Sequence, residues 1–191
     1  MTHESPQVNT REELRQIARA QQDSREFAPL YERYVALVWN YCLARLRNPA
    51  VAEDATSTTF VKALASLPRY QPQIRGEQTT FRSWLMTIAR NVVLDEQRKR
   101  PFAPMDDHIH TLASKQDGPE QIAVATDRRE QLLQAFAQLS DQQQDVIRLR
   151  QQELSGEEIA AVLGISVGAV KSTHYRAIQR LREMLAEENE I

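Results

Sequence analysis

The sequence predicts an all-α protein: two helical domains joined by a flexible linker, the second containing a helix-turn-helix. Three observations predict it. Apolar residues recur at three- and four-residue spacing through most of the 191 residues, and no alternating apolar–polar run stands out. Glycine is scarce, five in all, and helix-capping patterns punctuate the chain. One stretch rich in proline and acid, 101–121, interrupts the periodicity.

Taken in order, residues 10–22 form a short amphipathic pattern. From Ser24, the residues Phe27, Tyr31, Tyr34, Val38, Tyr41, Cys42 and Leu46 fall at helical spacing and supply one face for a core. Asn48-Pro49 gives an N-cap followed by proline at the first helical position. That helix runs to about Leu67, where Pro68 stops it. Residues 68–79, PRYQPQIRGEQT, form a loop with two prolines and a glycine. A helix runs from about Thr80 to Arg100, with Phe81, Trp84, Leu85, Ile88, Ala89, Val92 and Val93 on or near its apolar side. The segment PFAPMDDHIHTLASKQDGPEQ then reads as a linker, dividing the chain into a domain over 1–100, a connector over 101–125 and a domain over 126–191. Helical periodicity resumes at Ile122 and runs through Leu132, Leu133, Phe136 and Leu139. Ser140-Asp141-Gln142-Gln143 matches a capping box that starts a helix carrying Val146, Ile147 and Leu149.

The last third carries the sharpest pattern. Ser155-Gly156-Glu157-Glu158 is a second capping box. Its helix turns Ile159, Val162 and Leu163 inward, and Ala160 is small enough to let the next helix approach. Gly164 suits the left-handed position that ends a helix, Ile165 plugs the turn, and Ser166 can cap the second helix. That second helix has apolar positions at Val170, Ala177, Ile178, Leu181 and Leu185, with His174 on the same stripe as a partly buried histidine. Its other face carries Lys171, Ser172, Tyr175, Arg176 and Gln179. A short helix, a tight turn and a second helix with a basic outer face is the geometry that inserts into the major groove of DNA. Lys171, Ser172, Tyr175 and Arg176 are placed for bases or nearby phosphates, and Arg180 and Arg182 for backbone.

Charge limits where a polyanion can bind. The chain has a net charge of −2, unevenly spread. Residues 1–100 carry 15 Lys/Arg against 11 Asp/Glu, a net of +4, and residues 101–191 carry 9 against 15, a net of −6. Any nucleic-acid surface must therefore be local. The one cysteine, Cys42, excludes an internal disulfide and fits a reducing cytoplasm; it falls in an apolar pattern and reads as a buried thiol. The N-terminus has no apolar core, so it is not a secretory signal, and no segment approaches the roughly 20 apolar residues that span a bilayer.

The segments YERYVALVWNYCLARLRNPAVAEDATSTTFVKALASL, TFRSWLMTIARNVVLDEQRKR and LSDQQQDVIRLRQQELSGEEIAAVLGISVGAVKSTHYRAIQRLRE together resemble an RNA polymerase sigma factor of the extracytoplasmic-function type. The resemblance covers about 24–100 and 126–185. The motifs AEDATSTTF, FRSWLMTIARN and VGAVKS are specific in this order and spacing. It implies a non-enzymatic protein without cofactor that binds RNA polymerase core and directs promoter-specific initiation. It implies that Asn91, helped by the loop 68–79, captures a flipped base of the −10 element. Arg82, Arg90, Arg98, Lys99 and Arg100 would contact strand phosphates; the segment 69–100 holds seven basic residues against three acids. Opening a promoter costs a few kcal/mol per unstacked step, which aromatic surfaces, edge-pairing polar groups and cations along the backbone can offset. Asp54 and Phe60 would dock the clamp helices of the largest polymerase subunits. Lys171, Ser172, Tyr175, Arg176, Gln179 and Arg180 would read the −35 element in duplex form. An anti-sigma protein is a further implied partner. Trp84, by its spacing with Phe81 and Ile88, reads as core rather than as a melting wedge. Thr58-Thr59 stands where the family often has Gln-Glu, and Thr173 and His174 stand where arginine and leucine are frequent.

Two other classes fit part of the pattern. A two-domain helix-turn-helix regulator would share the C-terminal module, but a sensing receiver would show alternating strands and helices before residue 100. A metal-dependent nuclease would need a preorganised ligand set. The clustered candidates Asp106, Asp107, His108 and His110 lie adjacent on a proline-flanked linker, which makes a poor one.

Overall fold

In the computed structural model, which describes residues 10–75, 78–99 and 130–187, the predicted helical periodicity is realised almost throughout. The chain forms two compact units, one N-terminal and one C-terminal. The predicted linker 101–125, with its DDHIH segment, and the start of periodicity at Ile122 lie outside the described residues, as does Arg100.

The first unit holds α1 (Thr10–Gln22), a 3₁₀ turn (Ser24–Phe27), α2 (Ala28–Leu46), α3 (Pro49–Ser66), a second 3₁₀ turn (Leu67–Arg69), two short strands and α4 (Phe81–Lys99). Asn48 caps α3, its side chain accepting from the Val51 amide at 3.1 Å, with Pro49 at the first helical position. Pro68 ends α3 by starting the 3₁₀ turn, where its missing N–H costs nothing. The packing of α2, α3 and α4 is close because most buried residues of α3 are small, Ala52, Ala55, Thr56, Thr59 and Ala63, with Phe60 the large one among them. The two buried threonine hydroxyls donate to the carbonyls of Ala52 and Ala55, each at 2.7 Å, and so bury no unpaired group. Of the Thr58-Thr59 pair, only Thr58 faces out. The α2 stripe runs through Leu30, Tyr34, Val38, Tyr41, Cys42 and Arg45; Tyr31, expected on it, is 44% exposed. In α4, Ser83 and Met86 join Phe81, Leu85, Ala89, Val92 and Val93 inside, while Trp84 and Ile88 sit half-buried at the edge.

The loop 68–79 contains a feature that periodicity does not reveal. Strands β1 (Ile74–Arg75) and β2 (Gln78–Thr79) pair antiparallel, Ile74 opposite Thr79 and Arg75 opposite Gln78. This small ladder is the one departure from the predicted all-helical fold among the described residues. Local alternation over two residues is too short to register as a strand.

The second unit holds a helix over 130–137 (α5), α6 (Asp141–Gln151), α7 (Gly156–Leu163) and α8 (Val167–Glu187). Its core joins Ala135, Leu139, Ile147, Ala177, Leu181 and Met184, with Phe136, Ile178 and Leu185 packed against it. Leu139 is buried as expected, but Leu132 and Leu133, which the periodicity also places on the inward side, are exposed, and Ala135 is buried instead. The Arg148 guanidinium lies 4.5 Å over the Phe136 ring, a cation–π contact at the core's margin.

Candidate nucleic-acid interface

The helix-turn-helix forms through the caps that the sequence encodes. Ser155 accepts from the Glu158 amide at 3.1 Å, and the Glu158 carboxylate accepts from the Ser155 amide at 2.7 Å. Gly164 closes α7 in the left-handed region at φ 67°, and the Ile165 amide reaches back to the Ala160 carbonyl at 3.1 Å. Ser166 starts α8, its hydroxyl accepting from the Ala169 amide at 3.1 Å. Three residues therefore connect the two helices.

The inward stripe of α8 is Val170, Thr173, Ala177, Leu181 and Met184. Val170, Ala177 and Leu181 fall on the expected line and His174 is partly buried as expected, but Thr173 and Met184 are the more deeply buried neighbours of His174 and Leu185. Lys171, Ser172, Tyr175, Arg176 and Arg180 are exposed, and Gln179 is half-buried. These six share one side of the helix through four-residue steps. The Tyr175 ring is 65% exposed, an unusual placement for a large aromatic unless it meets a partner. Arg176 Nε donates to the Ser172 carbonyl at 3.3 Å, and Arg180 pairs loosely with Glu183 at 3.6 Å. No acid occupies the first turn of α8.

On the first unit, α4 presents Asn91 to solvent. Trp84, Ile88, Asn91 and Arg98 lie along one side of the helix at four-, three- and seven-residue steps. Arg98 pairs with Asp95 at 2.5 Å and Lys99 with Glu96 at 2.8 Å, so both cations already have an intrahelical partner, one a phosphate can displace at little cost. Arg82 and Arg90 are half-buried. Arg82 is nine residues from Asn91, about two and a half turns, which puts it on the opposite side of α4; its charge is felt at Tyr34 instead. The helix thus gathers Asn91 and Arg98, with Lys99 adjacent, and separates Arg82 from them.

The loop before α4 packs through Tyr70, whose ring stacks on Trp84 with centroids 4.4 Å apart and meets Phe81 edge-on at 5.8 Å. Burial raises the Tyr70 phenol above its ordinary pKa, and its hydroxyl bonds the Thr80 hydroxyl at 2.9 Å. The Thr80 amide donates to the Gln73 carbonyl at 2.8 Å. This leaves Arg69, Ile74 and Arg75 exposed at the mouth of the loop, and Trp84 engaged with Tyr70 as a packing residue.

The acidic helix α3 corrects one expectation. Asp54 is exposed, but Phe60 is not: at 6% exposure its ring is edge-packed on Tyr31 at 4.7 Å and Phe27 at 6.3 Å. A phenylalanine between two aromatic rings belongs to the core. The outward residues there are Tyr31, Val61 and Leu64, with Val61 68% exposed. Sequence periodicity passes over these because Val61 and Leu64 interleave with the alanines of the buried face.

A helical bundle with exposed apolar and acidic residues is thus followed in sequence by a helix-turn-helix unit. Comparison with known proteins gives the family. Residues 30–101 match the family model described as Sigma-70 region 2, and residues 129–181 match Sigma-70, region 4. The chain is 35% identical over 165 residues to the RNA polymerase sigma factor YlaC of Bacillus subtilis, an alignment covering 84% of this chain and 92% of YlaC. It is 34% identical to the ECF RNA polymerase sigma factor BldN of Streptomyces coelicolor over 85% of this chain and 61% of BldN. In fold it is similar to the sigma factor RpoE of Bartonella quintana, solved in complex with the anti-sigma factor NepR: TM-score 0.62 at 22% identity, over 85% of this chain and 98% of that one. The chain belongs to the extracytoplasmic-function sigma factors, non-enzymatic subunits that bind RNA polymerase core and direct promoter-specific initiation of transcription. Among the described residues no helix is long and apolar enough to cross a membrane.

Proposed function

We propose that the two units divide the promoter between them. In this reading the C-terminal unit sets α8 into the major groove of the −35 element, with Lys171, Ser172, Tyr175 and Arg176 toward base edges and near phosphates and Gln179 and Arg180 toward the backbone. The observation that carries it is the single solvent-facing side of α8, which gathers these residues immediately after a three-residue turn. The N-terminal unit opens the −10 region, with Asn91 and the loop 68–79 holding an unstacked base and Arg90, Arg98, Lys99 and Arg100 following the strand. Asp54, with Tyr31, Val61 and Leu64, is the side offered to polymerase core; exposed apolar residues rimmed by charge are what a protein partner covers. An anti-sigma protein that covered this side would hold the factor inactive, and the similar Bartonella chain was solved with such a partner. The protein acts in the cytoplasm, where polymerase and chromosome are.

Transcription by core polymerase on a promoter library, with and without this chain, tests the reading. The expected result is enrichment of a shared two-part motif; no motif would overturn it. On a selected promoter, Asn91→Ala impairs opening more than closed-complex binding. Arg176→Ala weakens recruitment only where the −35 element is present, and costs about 1–3 kcal/mol there.

A further inference from the structure

Helix α1 lies before the segment matched to Sigma-70 region 2, which begins at residue 30. Two of its side chains nevertheless grip the loop 68–79 at both ends. At the near end, Gln21 Nε2 donates to the Leu67 carbonyl at 3.0 Å and to the Tyr70 carbonyl at 2.6 Å. At the far end, the Thr79 hydroxyl donates to the Glu13 carboxylate. Glu13 is 2% exposed, an unusual depth for a carboxylate, and it is retained by partners: Thr79 on one oxygen, the Tyr34 hydroxyl and Arg33 Nη1 on the other, the last at 3.3 Å. Thr79 in turn accepts from the Phe81 amide at 3.2 Å, the first residue of α4. Between these ends the loop is held by its own two-residue ladder and by the Thr80 amide on the Gln73 carbonyl, while the side chains of Gln71, Gln73, Ile74 and Arg75 are exposed. The ladder and the Tyr70 ring on Trp84 shape the loop locally, and the bonds to α1 tie its two ends to the rest of the bundle.

We infer that α1 is a positioning element for base capture: Glu13 and Gln21 set the geometry of the loop 68–79 relative to Asn91 without touching DNA or polymerase. The inference rests on the proposed role of that loop at the −10 element. Held ends reduce the conformations the loop must lose when it closes on a base, so the discrimination between a correct and an incorrect base depends on them. A buried acceptor shared by two hydroxyls suits this task because it fixes direction as well as distance.

The test measures open-complex formation by permanganate reactivity of unpaired thymines. It uses the full chain with core polymerase, on a promoter selected from the library and on the same promoter with one −10 base replaced. The quantity read is the ratio between the two templates. Glu13→Gln, Gln21→Ala and Thr79→Val are expected to lower that ratio roughly tenfold, equivalent to about 1.4 kcal/mol, with core-binding affinity unchanged. Thr79→Ser, which keeps the hydroxyl, returns it to within about twofold of the native chain, a difference under 0.5 kcal/mol. If activity falls equally on both templates, or Thr79→Ser behaves as Thr79→Val does, α1 is merely structural and the inference is overturned. A loop variant, Ile74→Ala with Arg75→Ala, separates the two levels. Should it lower the ratio while the α1 variants do not, only the inference falls. Should it leave the ratio unchanged, the loop does not read the −10 base and both fall.

Discussion

The two units hold their turns by different means. In the C-terminal unit every turn is held by residues within a few positions of it: Ser140 with Gln143, Ser155 with Glu158, Gly164, and Ser166 with Ala169. In the N-terminal unit the loop 68–79 has a short ladder of its own, but both its ends are tied to α1 by bonds between residues 46, 49 and 66 positions apart. Local caps make a reading head that is complete once its own helices form. Long-range polar bonds make a loop whose shape depends on the whole bundle. On the proposed division of the promoter, a helix entering a groove of fixed dimensions gains from the first arrangement, and a loop closing on an unstacked base gains from the second, because its ends are tied to the bundle.

The largest effect should come from breaking the long-range set. Glu13→Leu strands the Tyr34 and Thr79 hydroxyls and Arg33, and is expected to cost about 3 kcal/mol. Both tryptophans, Trp39 and Trp84, lie in the N-terminal unit, so urea unfolding followed by tryptophan fluorescence reports that unit alone. The Glu13→Leu transition should shift there, while circular dichroism keeps a second, unshifted component from the C-terminal unit. Ser155→Ala should do the converse, lowering the dichroism component by about 1 kcal/mol and leaving fluorescence unmoved. Gly164→Ala belongs to the same test. A Cβ at Gly164 meets nothing within 4 Å, so its cost of about 1 kcal/mol is that of left-handed backbone alone. Gly164→Asn should recover part of it.

Legibility in the sequence divides along the same line. Ser140, Ser155 and Gly164 announce their roles because cap chemistry is a matter of neighbours. The buried line of α8 is displaced by one position at Thr173, since threonine carries no apolar signal and His174 sits at a spacing that fits almost as well. Resemblance alone assigns Phe60 outward, although its ring fills the space between Tyr31 and Phe27, a contact that only the packing of α2 against α3 creates. Glu13 gives no sign at all: an acid in the first turns of a helix is favourable on any surface, and its partners are remote in sequence.

A smaller effect sharpens the contrast between units through pH. Burial raises the Cys42 thiol from an ordinary value of 9.0 to about 11. The folded unit therefore favours the protonated form. The stability from this group is complete below about pH 9 and is lost as pH rises through 11. Fluorescence-detected unfolding should weaken in that window, and iodoacetamide should label Cys42 at pH 8 only after denaturation. The smallest effect should come from Arg98→Ala, which removes a surface pair with Asp95 and is expected to change stability by less than about 0.5 kcal/mol. If Arg98 follows a phosphate, the salt dependence of promoter binding loses about one unit of slope.

The small residues on the inner side of α3 carry a consequence for how such a factor can diversify. Ala52, Ala55 and Ala63 are buried and let α3 sit close to α2 and α4, so enlarging any of them forces the packing apart. Variation that leaves the packing intact is thereby confined to the exposed outer side, which carries Asp54, Thr58 and Val61. A substitution there changes the surface that α3 presents while leaving its packing against the helix that carries Asn91 unchanged.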